Sequence, residues 1–299
     1  MGTPGQGRRH RLRRGVPRIL PKFGGPPPHA MIAVSTYRPS PPLAPFVSCY
    51  TRGVYNTEAR RGAMIEVIPN GCPELIIHLR ERHCQLPGGN GLAATPDYML
   101  IGLFRRAFRV HFDEPVPVFT IRFRPEALTS LFQLEGREML DDFQDSYLLF
   151  DKSFHALCDR IRTEPEVTQM IARAEDYLLH RLALRPTRRD YVARSAALMR
   201  RCAVCSVADI SRQVCISQRQ LERQFRRVVG ITPKQYLNLL RINRAVEALN
   251  RDPNLDLTSV AYDCGYFDQA HFIRDFRRVT GRPPGAYRRG EGNLVALGG

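Results

Sequence analysis

The chain has 299 residues, with 45 Lys+Arg against 29 Asp+Glu and a formal net charge of +16. That length fits two domains. No run of 18 apolar residues occurs, which excludes a membrane-spanning helix from the sequence reading, and the N-terminus lacks the apolar stretch of a secretory signal.

Residues 1–30 are rich in Arg, Gly and Pro and hold 7 basic and no acidic residues. Too few apolar side chains are present to form a core, so a disordered basic tail is expected, one that adds nonspecific affinity for a polyanion. A second reading is that translation starts at Met31, directly before a domain-like sequence. From there to about residue 150 the pattern is short and β-rich. Met64-Ile-Glu-Val-Ile68 and Glu74-Leu-Ile-Ile-His-Leu79 alternate, and Tyr98–Leu103, Ala107–Phe112 and Val116–Phe123 follow, separated by Pro69-Asn-Gly71, Pro87–Gly91 and Asp113-Glu-Pro115. This predicts an antiparallel barrel or sandwich over 31–150. After Arg124-Pro125 the apolar spacing becomes helical. Residues 151–187 read as a helical linker in which Val167, Met170, Ile171, Ala174 and Leu178 form one stripe, able to dock on its own sheet or to pair with a second subunit. Pro186–Asp190 is the expected joint.

Residues 188–289 hold 20 basic and 9 acidic residues, whereas 31–187 hold 18 and 19. The electrostatic footprint of a polyanion site is therefore confined to the C-terminal part. Two segments there repeat without gaps at an offset of 51. Ser217–Gly230 superposes on Asp268–Gly281, with Leu221 on Phe272, Arg223 on Arg274, Phe225 on Phe276 and Val228 on Val279, and the repeat extends to Pro233/Pro284 and Tyr236/Tyr287. A repeat of this kind marks a duplicated supersecondary unit. Ser217 with Gln220 reads as a capping box, Asp268 as an N-cap, and Gly230 and Gly281 as left-handed stops. Each segment follows a short helix, Ser206–Val214 and Asp256–Cys264, after a tight turn. That is the helix-turn-helix pattern, whose second helix enters the major groove. Tyr236–Leu249 is expected to connect the units as one long helix, so that the two readers meet successive grooves about 34 Å apart.

The region from about Arg194 to Arg289 resembles the DNA-binding domain of AraC-type (AraC/XylS) transcriptional regulators. The resemblance rests on Ile216-Ser217-x-x-x-Leu221-x-Arg223-x-Phe225, Arg241-Ile242-x-x-Ala245, Ala261-x-x-x-Gly265-Tyr266, Asp268-Gln269-x-x-Phe272-x-Arg274-x-Phe276-Arg277 and Gly281-x-x-Pro284-x-x-Tyr287-Arg288. It implies DNA contacts from Ser217, Arg219, Glu222, Arg223 and Arg226 of the first unit and Gln269, Ala270, Ile273, Arg274 and Arg277 of the second. Arg suits guanine edges and Glu222 a cytosine amino group, while Ala270 and Ile273 offer only methyl groups. More loosely, Pro69–Ile76, Gly102 and Phe123-Arg-Pro-x-Ala-Leu128 with Leu131 resemble the β-barrel sensor domains of such regulators. The implied fold is α+β: an N-terminal antiparallel barrel or sandwich, a helical linker, an all-α domain with two helix-turn-helix units over 188–289, and a tail over 290–299.

Chemistry beyond this is sparse. Eight cysteines are scattered, and Cys202-Ala-Val-Cys205 lacks the second ligand pair that a zinc site needs, so buried thiols are expected and no metal or cofactor is implied. Glu66, Glu74 and His78 are candidate effector contacts in the barrel. Three functions are weighed: a transcription regulator answering a small molecule, a thiol switch through Cys72 and Cys84, and a barrel enzyme with accessory DNA binding. The last needs a catalytic cluster that the sequence does not show. The first implies double-stranded DNA as partner, a homodimer through the linker, RNA polymerase for an activator, and a cytoplasmic, nucleoid-bound location.

Overall fold

The computed structural model describes residues 32–55, 64–81, 83–88, 91–184, 190–202, 204–288 and 294–296. The expected basic tail over 1–30, and residues 186–189 of the expected joint, lie outside them.

The N-terminal strands are β1 (Ile32–Tyr37), β2 (Val47–Tyr55), β3 (Met64–Ile68), β4 (Glu74–His78), β5 (Gln85–Gly88), β6 (Gly91–Ala94), β7 (Tyr98–Ile101), β8 (Phe108–His111), β9 (Val116–Phe123) and β10 (Phe143–Asp145). They form two sheets, ordered β1-β2-β9-β4-β7-β10 and β11-β3-β8-β5-β6, where β11 is Leu294–Ala296. Among the described residues no pairing closes the two into a barrel, so the architecture is a sandwich. Alternate side chains of β4 and β7 go to different cores, so both strands are buried along their whole length. Leu75, Ile77, Tyr98, Leu100, Phe119 and Ile121 point to a core shared with helices, while Ile76, Met99, Ile101 and Val118 point to the space between the sheets. Strands covered on both faces lose their polar alternation.

The helical cover consists of α1 (Ala127–Phe132), a 3-10 turn at Gly136–Met139, α2 (Ser146–Leu149), α3 (Lys152–Arg162) and α4 (Val167–Ala183). The predicted stripe on α4 is used within the chain. Met170, Ile171, Ala174 and Leu178 are each 3% exposed or less and sit in the core with Leu157, Ile161 and Phe154 of α3.

The C-terminal helices are α5 (Tyr191–Arg201), α6 (Val207–Gln213), α7 (Gln218–Val229), α8 (Pro233–Arg251), α9 (Leu257–Asp263), α10 (Gln269–Thr280) and α11 (Pro284–Arg288). The connecting helix starts three residues before the predicted Tyr236. Thr232 and Gln235 form a capping box with Pro at the first turn, which holds that start. One core unites both units, with Leu221, Phe225, Ile242, Val246, Phe272 and Phe276 all at 1% exposure or less. After Arg288 the chain returns to the sandwich, where β11 pairs in parallel with β3. A strand was not expected in the tail: three residues carry too little periodicity to announce one.

The two halves touch extensively. Ile68 and Leu103 of the sandwich belong to the core of the helical domain. Glu126 receives Arg200 Nη2 at 2.8 Å and Nη1 at 3.2 Å. Gly136 lies against the end of α7, so close that a Cβ there would stand 2.4 Å from the Val229 carbonyl carbon. Glu66 bridges Arg109 at 3.3 Å and Arg282 at 3.0 Å.

Candidate nucleic-acid interface

The duplicated segments fold as predicted because their caps are local. Ser206 and Asp209 form a reciprocal capping box at α6. At α7, Ser217 accepts from the Gln220 backbone N–H at 3.2 Å, but only this half of the predicted box forms. Asp268 accepts from His271 N–H at 2.7 Å at the start of α10. Both helices stop at left-handed glycines, Gly230 at φ 89° and Gly281 at φ 78°, a conformation costly for a residue with a Cβ.

The apolar faces are consumed in the core: Leu221, Phe225 and Val228 from α7, and Phe272, Phe276 and Val279 from α10. What remains outward is the polar face. Ser217, Arg219, Glu222, Arg223 and Arg226 are all exposed, as are Gln269, Ala270, Arg274 and Arg277. Ile273 differs. It is half-buried and leans on the edge of the core, so its methyl groups are only partly available. Sequence reasoning passed over two neighbours. Asp275 is 6% exposed and holds Arg278 at 2.7 Å, with His271 at 3.4 Å, which ties up one cation of α10. Phe267 is 90% exposed, just before the α10 N-cap. Its counterpart at the offset of 51, Ile216, packs against the core instead, and that contrast was available in the repeat.

The equivalent tyrosines stitch the units differently. Tyr287 donates its hydroxyl to Asn250 Oδ1 at 2.6 Å. Tyr236, buried at 1% exposure, has its hydroxyl 3.2 Å from Arg200. Burial acts against the charge on Arg200, but the carboxylate of Glu126 and the Tyr236 hydroxyl outweigh it and hold the guanidinium above its ordinary pKa.

The candidate effector residues do not converge. His78 is fully buried, with Nδ1 3.1 Å from Asp97 O and Nε2 near Cys84 Sγ and Thr95 Oγ1. Burial lowers its pKa to about 4, so the ring is neutral at physiological pH. Glu74, 3% exposed, accepts from Thr120 at 2.7 Å and faces Arg122 at 3.6 Å. Glu66 spans the domains as described. Between the sheets lies a wholly apolar cavity of about 30 Å³, walled by Tyr55, Val67, Ile76, Met99, Phe108 and Phe143, with Cys84 at its side. Cys84 and Cys72 are held as thiols by burial, which weakens both as nucleophiles. Among the described residues, no group of three His, Cys, Asp or Glu side chains is placed to hold a metal ion.

Two recognition helices with outward Arg and Gln faces, joined by one 19-residue helix, define a double helix-turn-helix DNA-binding domain. Residues 210–290 match the profile of a helix-turn-helix domain, and residues 35–145 match a domain of unknown function, DUF6597. The transcriptional activator RhaS of Escherichia coli O139:H28 (strain E24377A / ETEC) is 38% identical over 86 residues, covering 29% of this chain and 31% of that protein. RhaS of Salmonella paratyphi B is 36% identical over 86 residues, with 29% and 31% covered. The chain thus spans about a third of the length of these curated relatives. Among solved structures, ToxT from Vibrio cholerae O395 is similar over 80% of this chain and 97% of its own, at 13% identity and a TM-score of 0.44. An AraC-type regulator from Chromobacterium violaceum is similar over 34% and 91%, at 28% identity and a TM-score of 0.31. Over residues 210–290 the chain thus carries a helix-turn-helix domain, similar in sequence to that of the RhaS activators.

Proposed function

We propose that this protein is a sequence-specific regulator of transcription that binds double-stranded DNA through α7 and α10, answers a small apolar effector through its sandwich, and carries no catalytic activity. The observation that supports it most is the pair of outward polar faces on a duplicated unit sharing one core. Ser217, Arg219, Glu222, Arg223 and Arg226 contact the first half-site, and Gln269, Ala270, Arg274 and Arg277 the second, with Ile273 at the margin. The domain boundaries follow the same division: a sensor unit over 31–150, helical cover over 151–187 and a reading unit over 188–289. A homodimer and contact with RNA polymerase complete the reading, as does a cytoplasmic, nucleoid-bound location.

The effector reading rests on the apolar cavity between the sheets. Its present volume of about 30 Å³ is far below the ~300–1,000 Å³ of a ligand site, so a ligand must displace the walls. Phe108 and Phe143, with ring centroids 5.3 Å apart, stand there. Phe108 follows Ala107, whose N–H donates to Val279 O on the second recognition helix at 2.7 Å. Movement of that wall is thus transmitted directly to the DNA-binding unit. The thiol-switch alternative has less support, since Cys72 and Cys84 are both kept protonated.

The test is Arg223→Ala in the full chain. Arg pairs bidentately with guanine at about 1–3 kcal/mol, so affinity for the duplex site that the wild-type protein protects in footprinting should fall by that amount and preference should relax at one base pair. An equal fall on every sequence would make Arg223 a phosphate contact. A second expectation concerns the unequal helices. Exposed Ala270 and Phe267 present apolar surface, suited to thymine methyls and groove shape more than to base-edge hydrogen bonds. Base substitutions under α7 should therefore cost more than those under α10 in a binding-site scan. Equal costs would refute the asymmetry.

A further inference from the structure

The region 31–187 is close to neutral, and nothing in its sequence points to DNA. The structure nonetheless brings one of its arginines to the first recognition helix. We infer that Arg137 is a DNA-backbone contact supplied by the sensor domain, extending the α7 surface with a phosphate site built from both domains. This rests on the DNA-binding reading above.

The placement is set by backbone. Gly136 and Gly230 lack side chains where the 3-10 turn meets the end of α7. A Cβ on Gly230 would come within 2.6 Å of Gly136 O and 3.3 Å of Arg137 N. Contact this close fixes the root of the Arg137 side chain relative to the helix. Its guanidinium then shares an open groove of about 870 Å³ with Arg219, Glu222, Arg223, Arg226 and Arg227. Arg137 is 69% exposed and pairs through Nε with Glu135 at 2.8 Å, which leaves the rest of a five-donor fork for an anion. Five guanidinium groups face two carboxylates, Glu222 and Glu135, so the groove is cationic.

Position along the helix decides what the groove binds. Base edges are read by residues near the N-terminus of a recognition helix, and Gly230 and Arg226–Arg227 mark the other end. The partial negative charge of a helix C-terminus repels phosphate, so an anion rests there only if cations offset it. Arg226 and Arg227 supply two, and Arg137 adds one from outside the helix. Duplex backbone running past the major groove fits this end; a free base edge does not.

The experiment is titration of full-length wild type, Arg137→Ala and Arg137→Lys on a duplex carrying the protected site and on an unrelated duplex, across 50–200 mM salt. Each phosphate contact contributes about 0.9 to the slope of log affinity against log salt. Arg137→Ala should lower that slope by about 0.9 and weaken both duplexes by the same factor, while Arg137→Lys, still a point charge, keeps the slope. Wild-type slope and affinity in Arg137→Ala, with Arg223→Ala impaired, would overturn the inference and leave the reading intact. A loss confined to the protected site would also overturn it, by making Arg137 a base reader. Wild type that binds neither duplex would sink the reading and the inference together.

Discussion

Glu126→Ala is expected to destabilise the full chain by up to about 3–5 kcal/mol, because it strands a charged guanidinium in a largely buried site. Glu126 is 1% exposed and both of its oxygens accept from Arg200. The Arg200 side chain is itself only 18% exposed, and its remaining neighbour, the Tyr236 hydroxyl, cannot neutralise it. Removing both charges, as Glu126→Leu with Arg200→Met, should cost much less, since desolvation and attraction are abolished together. Urea unfolding of the two single variants and the double variant decides. A double variant as unstable as either single one would show that shape, not charge, holds the site.

Gly136→Ala should undock the domains. The added methyl would lie 2.4 Å from Val229 C, 2.5 Å from Val228 O and 2.7 Å from Gly230 N, all backbone atoms that cannot rotate away. Overpacking of this kind costs about 1–3 kcal/mol, and here separation of the halves relieves it. The variant should show a larger radius of gyration in solution scattering and two separate unfolding transitions. An unchanged radius would mean that the turn yields and the remaining contacts hold the halves together.

The helical domain was legible in the sequence because each signal was local. Caps at Ser206, Ser217 and Asp268, stops at Gly230 and Gly281, and apolar stripes at three- and four-residue spacing all act within one or two turns. The sandwich strands were legible for the same reason, though not their division into two sheets, which depends on which neighbour each strand finds. The contacts that join the domains were not legible. Glu126 and Arg200 are 74 positions apart, and Glu126 is the one unspecified position in the Phe123-Arg-Pro-x-Ala-Leu128 pattern. Nothing in the periodicity around Gly136 or Ala107 distinguishes a docking backbone from an ordinary turn. The polar faces of α7 and α10 were assigned in advance, whereas the half-burial of Ile273 required the curvature of the shared core.

The N-terminal half holds each copy of the duplicated unit at the same carbonyl, once from α1 and once from the segment leading into β8. Val228 O accepts from Thr129 Oγ1 at 3.2 Å, and its equivalent, Val279 O, accepts from Ala107 N–H at 2.7 Å. The donors differ in kind. Thr129 shares its single proton with Leu134 O at 2.7 Å, so the first grip is the looser one and a single codon change removes it. The second is made by main chain and survives any substitution at Ala107 other than Pro. Heritable variation can therefore loosen or tighten the hold on the first unit by side-chain exchange. The hold on the second changes only if the backbone leading into β8 moves, which a point mutation at Ala107 mostly cannot bring about.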